Sequence, residues 1–259
     1  MQTLPTQDLP ALLDRLALLA RAAGGAVMEV YASDFSVSDK ADASPVTEAD
    51  VRAETIIVAG LKALAPGLPI VAEEAMAAGA APLLGSRFWL VDPLDGTREF
   101  VNRNGEFTVN IALIEDGAPR AGVVFAPAID RLFAGWVGQC AWVEDAGVRR
   151  AMHGRTPPRE GLHVLASRSH GDEAALRGYL AGKPVARVSY AGSSLKLCLI
   201  ASAEADLYPR FTRTMEWDIA AGHAVLAAAG GSVDTLDGAP LRYGKPGFGN
   251  PHFVARGAV

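Results

Sequence analysis

In Trp89-Leu90-Val91-Asp92-Pro93-Leu94-Asp95-Gly96-Thr97 an apolar run ends on two carboxylates three residues apart, with a proline between them that prevents helical continuation. Two hard oxygen donors are thereby offered to one small volume. Such donors suit Mg²⁺ or Mn²⁺, which keep several waters and take one or two carboxylates each, and neither cysteine has a Cys or His at the spacing zinc needs. Gly96 lets the backbone approach a ligand closely. The amides of Gly96, Thr97 and Arg98 point outward if a turn or helix begins there, as phosphate binding requires. Asp-Pro and Asp-Gly are equally at home in ordinary turns, so other segments must decide.

Three further segments offer acids. Glu73 and Glu74 follow the apolar run 68–71; in an extended chain their side chains diverge, one toward a site and one away, with a solvated surface pair as the alternative. Asp218 stands at the start of an almost wholly apolar helical stretch, placed either to cap it or to reach a metal at a lobe junction. His223, on the same stretch, reads as a core histidine. In Ser44-Pro45-Val46-Thr47-Glu48-Ala49-Asp50, Thr47 suits a helix cap, and capping and catalysis compete for Asp50.

The elements that must position these groups follow from periodicity. Residues 9–31 and 48–65 carry helical spacing, the first with a weak point at Gly24-Gly25 and the second stopped by Pro66-Gly67. Between them residues 33–45 read as a polar, turn-rich loop. The run 88–91 predicts a buried strand that stops at Asp92-Pro93, and 107–114 with 121–125 flank a turn signal at Asp116-Gly117, so the middle of the chain is a β-meander. Residues 75–85 read as a flexible surface connection. Beyond residue 162 helices are expected at 172–180, 195–202 and 217–229, with strands around Val188, Leu207 and Val233. Charge, glycine and proline cluster at 150–158, which divides the chain into an N-terminal α+β lobe, 1–154, and a C-terminal α/β lobe, 155–259.

Composition narrows the function. With 259 residues, half of them hydrophobic, the chain can bury a large core, and its net charge of -5 without a basic stripe argues against nucleic acid as a partner. Asp8, Asp14, Arg15 and Arg21 interrupt the N-terminal apolar run, so neither a signal-peptide core nor a spanning helix is expected and the reading is cytoplasmic. Cys140 and Cys198 are expected as buried free thiols.

Taken together, these segments resemble the magnesium-dependent, lithium-sensitive phosphatase superfamily of inositol monophosphatase. Its paired signatures, Asp-Pro-Leu-Asp-Gly-Thr and Trp-Asp-x-Ala-Ala-Gly, stand unbroken at 92–97 and 217–222. Within it the chain is most similar to the 3'(2'),5'-bisphosphate nucleotidase branch. That likeness runs through 44–50, 88–126, Ser167-Arg168-Ser169-His170, Gly192-Ser193-Ser194-Leu195-Lys196 and Leu207-Tyr208-Pro209-Arg210-Phe211, in collinear order over nearly the whole chain. Arg98 departs from the pattern, where relatives carry Lys.

The resemblance implies an α/β (α+β) fold, a layered αβαβα sandwich of the inositol monophosphatase and fructose-1,6-bisphosphatase type, with two or three Mg²⁺ ions at the junction of the lobes. It puts Glu73, Asp92 and the Leu94 carbonyl on one metal and Asp92, Asp95 and Asp218 on another. Thr97 and Asp50 become the pair that takes a proton from the attacking water, with Glu73 orienting it. Substrate contacts fall on Glu73, Asp95, Gly96, Thr97, Arg98, Ser167, His170, Ser193, Ser194, Lys196, Arg210 and Asp218, with Arg168 a further cation and His170 stacking on adenine. The implied activity is hydrolysis of 3'-phosphoadenosine 5'-phosphate to AMP and phosphate, linked to sulfate assimilation. A small-molecule substrate is the only partner implied, in a monomer or homodimer, with contact at the cytoplasmic face of the inner membrane a family trait. The alternatives are an inositol or sugar phosphate monoesterase with the same metal site, and a non-catalytic nucleotide sensor.

Overall fold

The computed structural model describes residues 9–39, 45–169 and 171–258. Leu12, Leu13, Leu16, Ala20, Ala23, Val27 and Val30 recur every three or four positions and are buried along one face of α1 (Leu9–Tyr31). Gly24-Gly25 does not interrupt this helix. A Cβ at position 24 would stand 2.5 Å from the Phe125 ring, so the apparent weak point is a place of close approach between helix and sheet. The loop expected over 33–45 contains two short antiparallel strands instead, β1 (Val37–Asp39) and β2 (Pro45–Thr47), while residues 40–44 lie outside the described part of the chain. Helix α2 (Glu48–Leu64) buries Ala49, Ala53, Ile57 and Leu61 and packs with α1 on one face of a large sheet.

That sheet has seven strands in the order β3-β4-β5-β6-β7-β8-β9. They are β3 (Ile70–Ala72), β4 (Arg87–Asp95), β5 (Thr108–Glu115), β6 (Ala118–Ala126), β7 (Arg131–Trp136), β8 (Cys140–Asp145) and β9 (Val148–Ala151). From β4 onward it is the expected meander. The β5–β6 hairpin turns on Asp116 and Gly117, both with positive φ, as a two-residue connection matching the strand twist requires. Two short helices interrupt the order, α3 (Glu73–Ala77) and α4 (Thr97–Val101). The first occupies part of the segment expected to be a plain connection over 75–85.

The strand expected to stop at Asp92 runs on to Asp95. Asp92 pairs with Asn110 and Asp95 with Thr108, so β4 uses one more residue than its partner across Pro93-Leu94. This is a β-bulge, and proline, lacking an amide hydrogen, is tolerated in it. Its consequence reaches the chemistry. Residues three apart on a regular strand face opposite ways, but Asn110 and Thr108, two apart, share a face, and so Asp92 and Asp95 opposite them share it too.

The second sheet has the order β11-β10-β12-β14-β13, built from β10 (Leu162–Ser167), β11 (Val185–Ala191), β12 (Leu207–Arg210), β13 (Ser232–Thr235) and β14 (Phe253–Arg256). Helices α6 (Leu195–Ala201) and α7 (Glu216–Ala228) lie between the sheets and share one buried core with both. The approach of α7 to the large sheet is close: Cβ atoms at Gly122 and Gly135 would meet Ala221 O at 2.4 Å and Ala228 Cβ at 2.7 Å. Helix α5 (Glu173–Leu180) covers the far face of the smaller sheet through Leu176, Tyr179 and Leu180. Helices, sheet, helices, sheet and helix therefore stack as an αβαβα sandwich. Cys198 is buried as expected, but Cys140 is exposed because it opens an edge-proximal strand where the chain turns back. No helix of the described residues is long and apolar enough to cross a membrane.

Candidate active site

The ends of β4, β10 and β12 meet the starts of α6 and α7 around one cavity of about 220 Å³, lined by Glu73, Asp92, Asp95 and Asp218. The bulge delivers Asp92 and Asp95 to it. Glu73 arrives differently from the divergent, extended pair expected at 73–74: both acids open helix α3, whose amides at Glu74 and Ala75 donate to Glu54 of α2 at 2.7 and 2.9 Å. Glu54 stands about twenty residues upstream and carries no sequence signal of this task. Asp218 is the third residue of α7, inside the helix where a cap was weighed, and its Oδ2 reaches back to accept the Met215 amide at 2.8 Å.

Burial first, and then their neighbours' negative charge, push the Asp92 and Asp218 carboxyls well above the usual carboxylate range. Asp92 also hydrogen-bonds Glu73. Burial raises Asp95 to about 7, against the opposing pull of Lys196 and of the Ser194 amide, which donates to Asp95 Oδ2 at 2.5 Å. Among the described residues no group of three or more His, Cys, Asp or Glu side chains is drawn in to metal-ligand spacing. Asp92 Oδ1 leans on the Leu94 amide at 3.0 Å, as Asp95 and Asp218 lean on Ser194 and Met215. The donor set nonetheless fits a hard divalent cation, being all oxygen, acidic and repelling itself.

This repulsion has a measurable sign. An acid whose folded pKa lies above its unfolded value binds more protons when folded, so its contribution to stability falls as pH rises from about 4 through the folded value, about 7 for Asp95. In chelator the melting temperature should therefore drop between pH 6 and pH 8, and a divalent metal should restore more of it at pH 8. A metal-induced shift equal at both pH values would show that the carboxylates are ionised without it.

Asp50 divides its two oxygens. Oδ2 accepts the Thr47 amide and the Thr47 hydroxyl, each at 2.8 Å, which closes the N-terminus of α2, while Oδ1 faces the Thr97 hydroxyl at 3.4 Å. Capping and contact with Thr97 thus coexist. Thr97 Oγ1 also lies 3.2 Å from the Leu94 carbonyl.

The cations of the wall come from several elements: Arg98 from α4, Lys196 from α6, Arg210 from β12 and Arg213 from the loop before α7. Lys196 is fully buried; burial lowers its ammonium to about 8, and Nζ donates to Ser193 O at 2.6 Å and Ala191 O at 3.1 Å. Ser194 is wall too, but its hydroxyl is held by Asn110 at 2.6 Å and Thr108 at 2.9 Å. Gly96, Arg98, Ser167, Ser193 and Arg210 also line the cavity. Arg168 does not: its guanidinium is taken by Glu106 at 2.7 and 2.8 Å. His170 lies outside the described residues. His223 is a core residue, its Nδ1 2.8 Å from the Tyr243 hydroxyl and its pKa lowered by burial to about 3. Glu99, Tyr208 and Arg213, none of them singled out from sequence, stand on the same wall.

A five-layer sandwich with such a cavity where its two sheets meet is the architecture of the inositol monophosphatase family, and the chain belongs to it: the family's sequence profile matches residues 11–254. Its members are metal-dependent phosphatases. Over 247 residues the chain is 48% identical to the 3'(2'),5'-bisphosphate nucleotidase CysQ of Escherichia coli (strain K12), covering 93% of this chain and 98% of that one. CysQ of Shigella flexneri matches to the same extent. Among solved structures, CysQ from Bacteroides thetaiotaomicron superposes with a TM-score of 0.79 at 35% identity, covering 99% of this chain and all of that one. The inositol monophosphatase of Anabaena (Nostoc) sp. PCC 7120 gives a TM-score of 0.77 at 25% identity, covering 97% and 92%.

Proposed function

We propose that the chain is a 3'(2'),5'-bisphosphate nucleotidase that hydrolyses 3'-phosphoadenosine 5'-phosphate to AMP and phosphate, serving sulfate assimilation, with Mg²⁺ among its carboxylates. The observation that carries this reading, beside the 48% identity to CysQ, is the make-up of the cavity. The cavity combines a carboxylate set with four cations, Arg98, Lys196, Arg210 and Arg213. A substrate with two phosphates uses both features, whereas a monophosphate needs the carboxylates and fewer of the cations.

Glu73, Asp92 and the Leu94 carbonyl would hold one ion and Asp92, Asp95 and Asp218 a second, with a third allowed. When bound, the ions supply positive charge to the phosphoryl oxygens and make the attacking water more acidic. The protein does the positioning. Glu73, fixed at the start of α3 by Glu54, orients the water. Thr97 accepts its proton while its own hydroxyl leans on Asp50 Oδ1, and the cap on Oδ2 keeps that carboxylate from turning away. The amides of Gly96, Thr97 and Arg98 face the phosphoryl oxygens. Ser167, Ser193, Ser194, Lys196 and Arg210 enclose the nucleotide, and the family resemblance adds His170, which lies outside the described residues.

The test is kcat/KM for 3'-phosphoadenosine 5'-phosphate against inositol 1-phosphate, with a large excess expected for the nucleotide; the reverse order would make the chain a monophosphatase. Lys196→Ala extends it. Loss of one charge-assisted contact should lower kcat/KM for the nucleotide roughly ten- to a hundred-fold more than for a simple phosphomonoester. Equal falls would mean that Lys196, through Ser193 and Ala191, supports only the turn.

A further inference from the structure

We infer that Arg213 is a further side chain, beside Lys196, that selects substrates carrying a second phosphate, a deepening that rests on the nucleotidase reading. Four cations line the cavity, and the structure uses them differently. Lys196 spends its ammonium on the Ala191 and Ser193 carbonyls and lies 5.1 Å from the Tyr208 ring centroid. Arg210 is buried and donates to Thr212 O at 3.2 Å, Arg213 O at 3.3 Å and the Tyr208 hydroxyl at 3.4 Å. Both are braces first. Arg98 also has no carboxylate partner among the described residues, but it stands next to Thr97 in α4, on the side of the cavity to which the nucleotidase reading assigns the phosphate that is cleaved.

Arg213 is the remaining one. Arg21, Arg87, Arg131, Arg155, Arg168 and Arg256 are each paired with a carboxylate. Among the described residues, no carboxylate pairs with Arg213, whose guanidinium meets only Met215 Sδ at 3.5 Å. Its backbone, by contrast, is held on both sides: Arg210 donates to the carbonyls of Thr212 and of Arg213 itself, and the next carbonyl, of Thr214, accepts the Asn250 amide at 2.9 Å. A fixed main chain carrying an exposed guanidinium with no carboxylate partner on the cavity wall is suited to an anion, since binding orders only one side chain and the fork matches phosphate oxygens bidentately. Five residues further on, Asp218 serves the carboxylate cluster. The loop after β12 and the first turn of α7 would therefore address one phosphate each.

The experiment compares wild type, Arg213→Ala and Arg213→Lys on 3'-phosphoadenosine 5'-phosphate and on adenosine 3'-phosphate, which lacks the second phosphate. In Arg213→Ala the preference for the two-phosphate substrate should shrink roughly ten- to a hundred-fold, chiefly through KM, and inhibition by AMP should weaken by a similar factor. Arg213→Lys should recover part of both, because it restores the charge without the fork. An unchanged preference in Arg213→Ala, or equal losses on the two substrates, overturns the assignment. A wild-type enzyme with no preference for the two-phosphate substrate overturns the nucleotidase reading itself, and a wild-type preference that Arg213→Ala keeps overturns the Arg213 assignment alone.

Discussion

Asp95→Asn and Asp218→Asn should each lower kcat by roughly 10²–10⁴-fold at saturating Mg²⁺, the several kcal/mol expected when charge stabilisation of a phosphoryl group is lost. The fold should survive. Both side chains already carry raised pKa values, from burial first and then from neighbouring carboxylates, Glu99 and Glu73 for Asp95 and Asp95 and Glu73 for Asp218, so a neutral amide relieves a strain in the protein without metal. In chelator the variants should melt no lower than wild type, and above pH 7 they should melt higher. Addition of Mg²⁺ should raise the melting temperature of wild type more than that of either variant. Near-normal turnover in either variant, or full wild-type activity in chelator, would remove these carboxylates from the reaction.

Thr97→Val and Asp50→Asn should each cost about 10²-fold in kcat with little change in KM, the scale of a lost general-base relay. They should not multiply, because the two residues act as a unit and the second loss has little left to remove. The choice of Asn at position 50 matters. Its single carbonyl oxygen can keep the Thr47 amide at the start of α2, while its amide group turned toward Thr97 can no longer accept the hydroxyl proton. Stability should therefore fall by no more than about 1 kcal/mol, the scale of a helix cap, while activity falls far more. A double variant whose loss equals the product of the single losses would assign Asp50 to the helix alone.

The chemistry of the site was legible because it is written in contiguous residues. Asp92 and Asp95 on either side of Pro93, Gly96 before Thr97, and Asp218 ahead of an apolar stretch all read as candidates for hard-oxygen ligation and a phosphate turn, and Asp92, Asp95, Gly96, Thr97 and Asp218 line one cavity. The cap of Thr47 and the spans of α1 and α2 were equally readable, since capping and amphipathic spacing act within a few residues of chain, and α7 was readable as an almost wholly apolar run. Other features were not of this kind. The bulge that turns Asp92 and Asp95 to one face depends on pairing with β5, Glu54 fixes Glu73 from another helix, and Ser194 meets Asp95 from a position 99 residues away. Burial, too, is a property of the packed layers: it decided that Lys196 and Arg210 brace carbonyls while Arg213 stays unpaired. Local sterics and hydrogen bonds are encoded where they act. Register, burial and the pairing of distant charges exist only once the two sheets have closed on α6 and α7, and these decided which of the residues named by the motifs face one another.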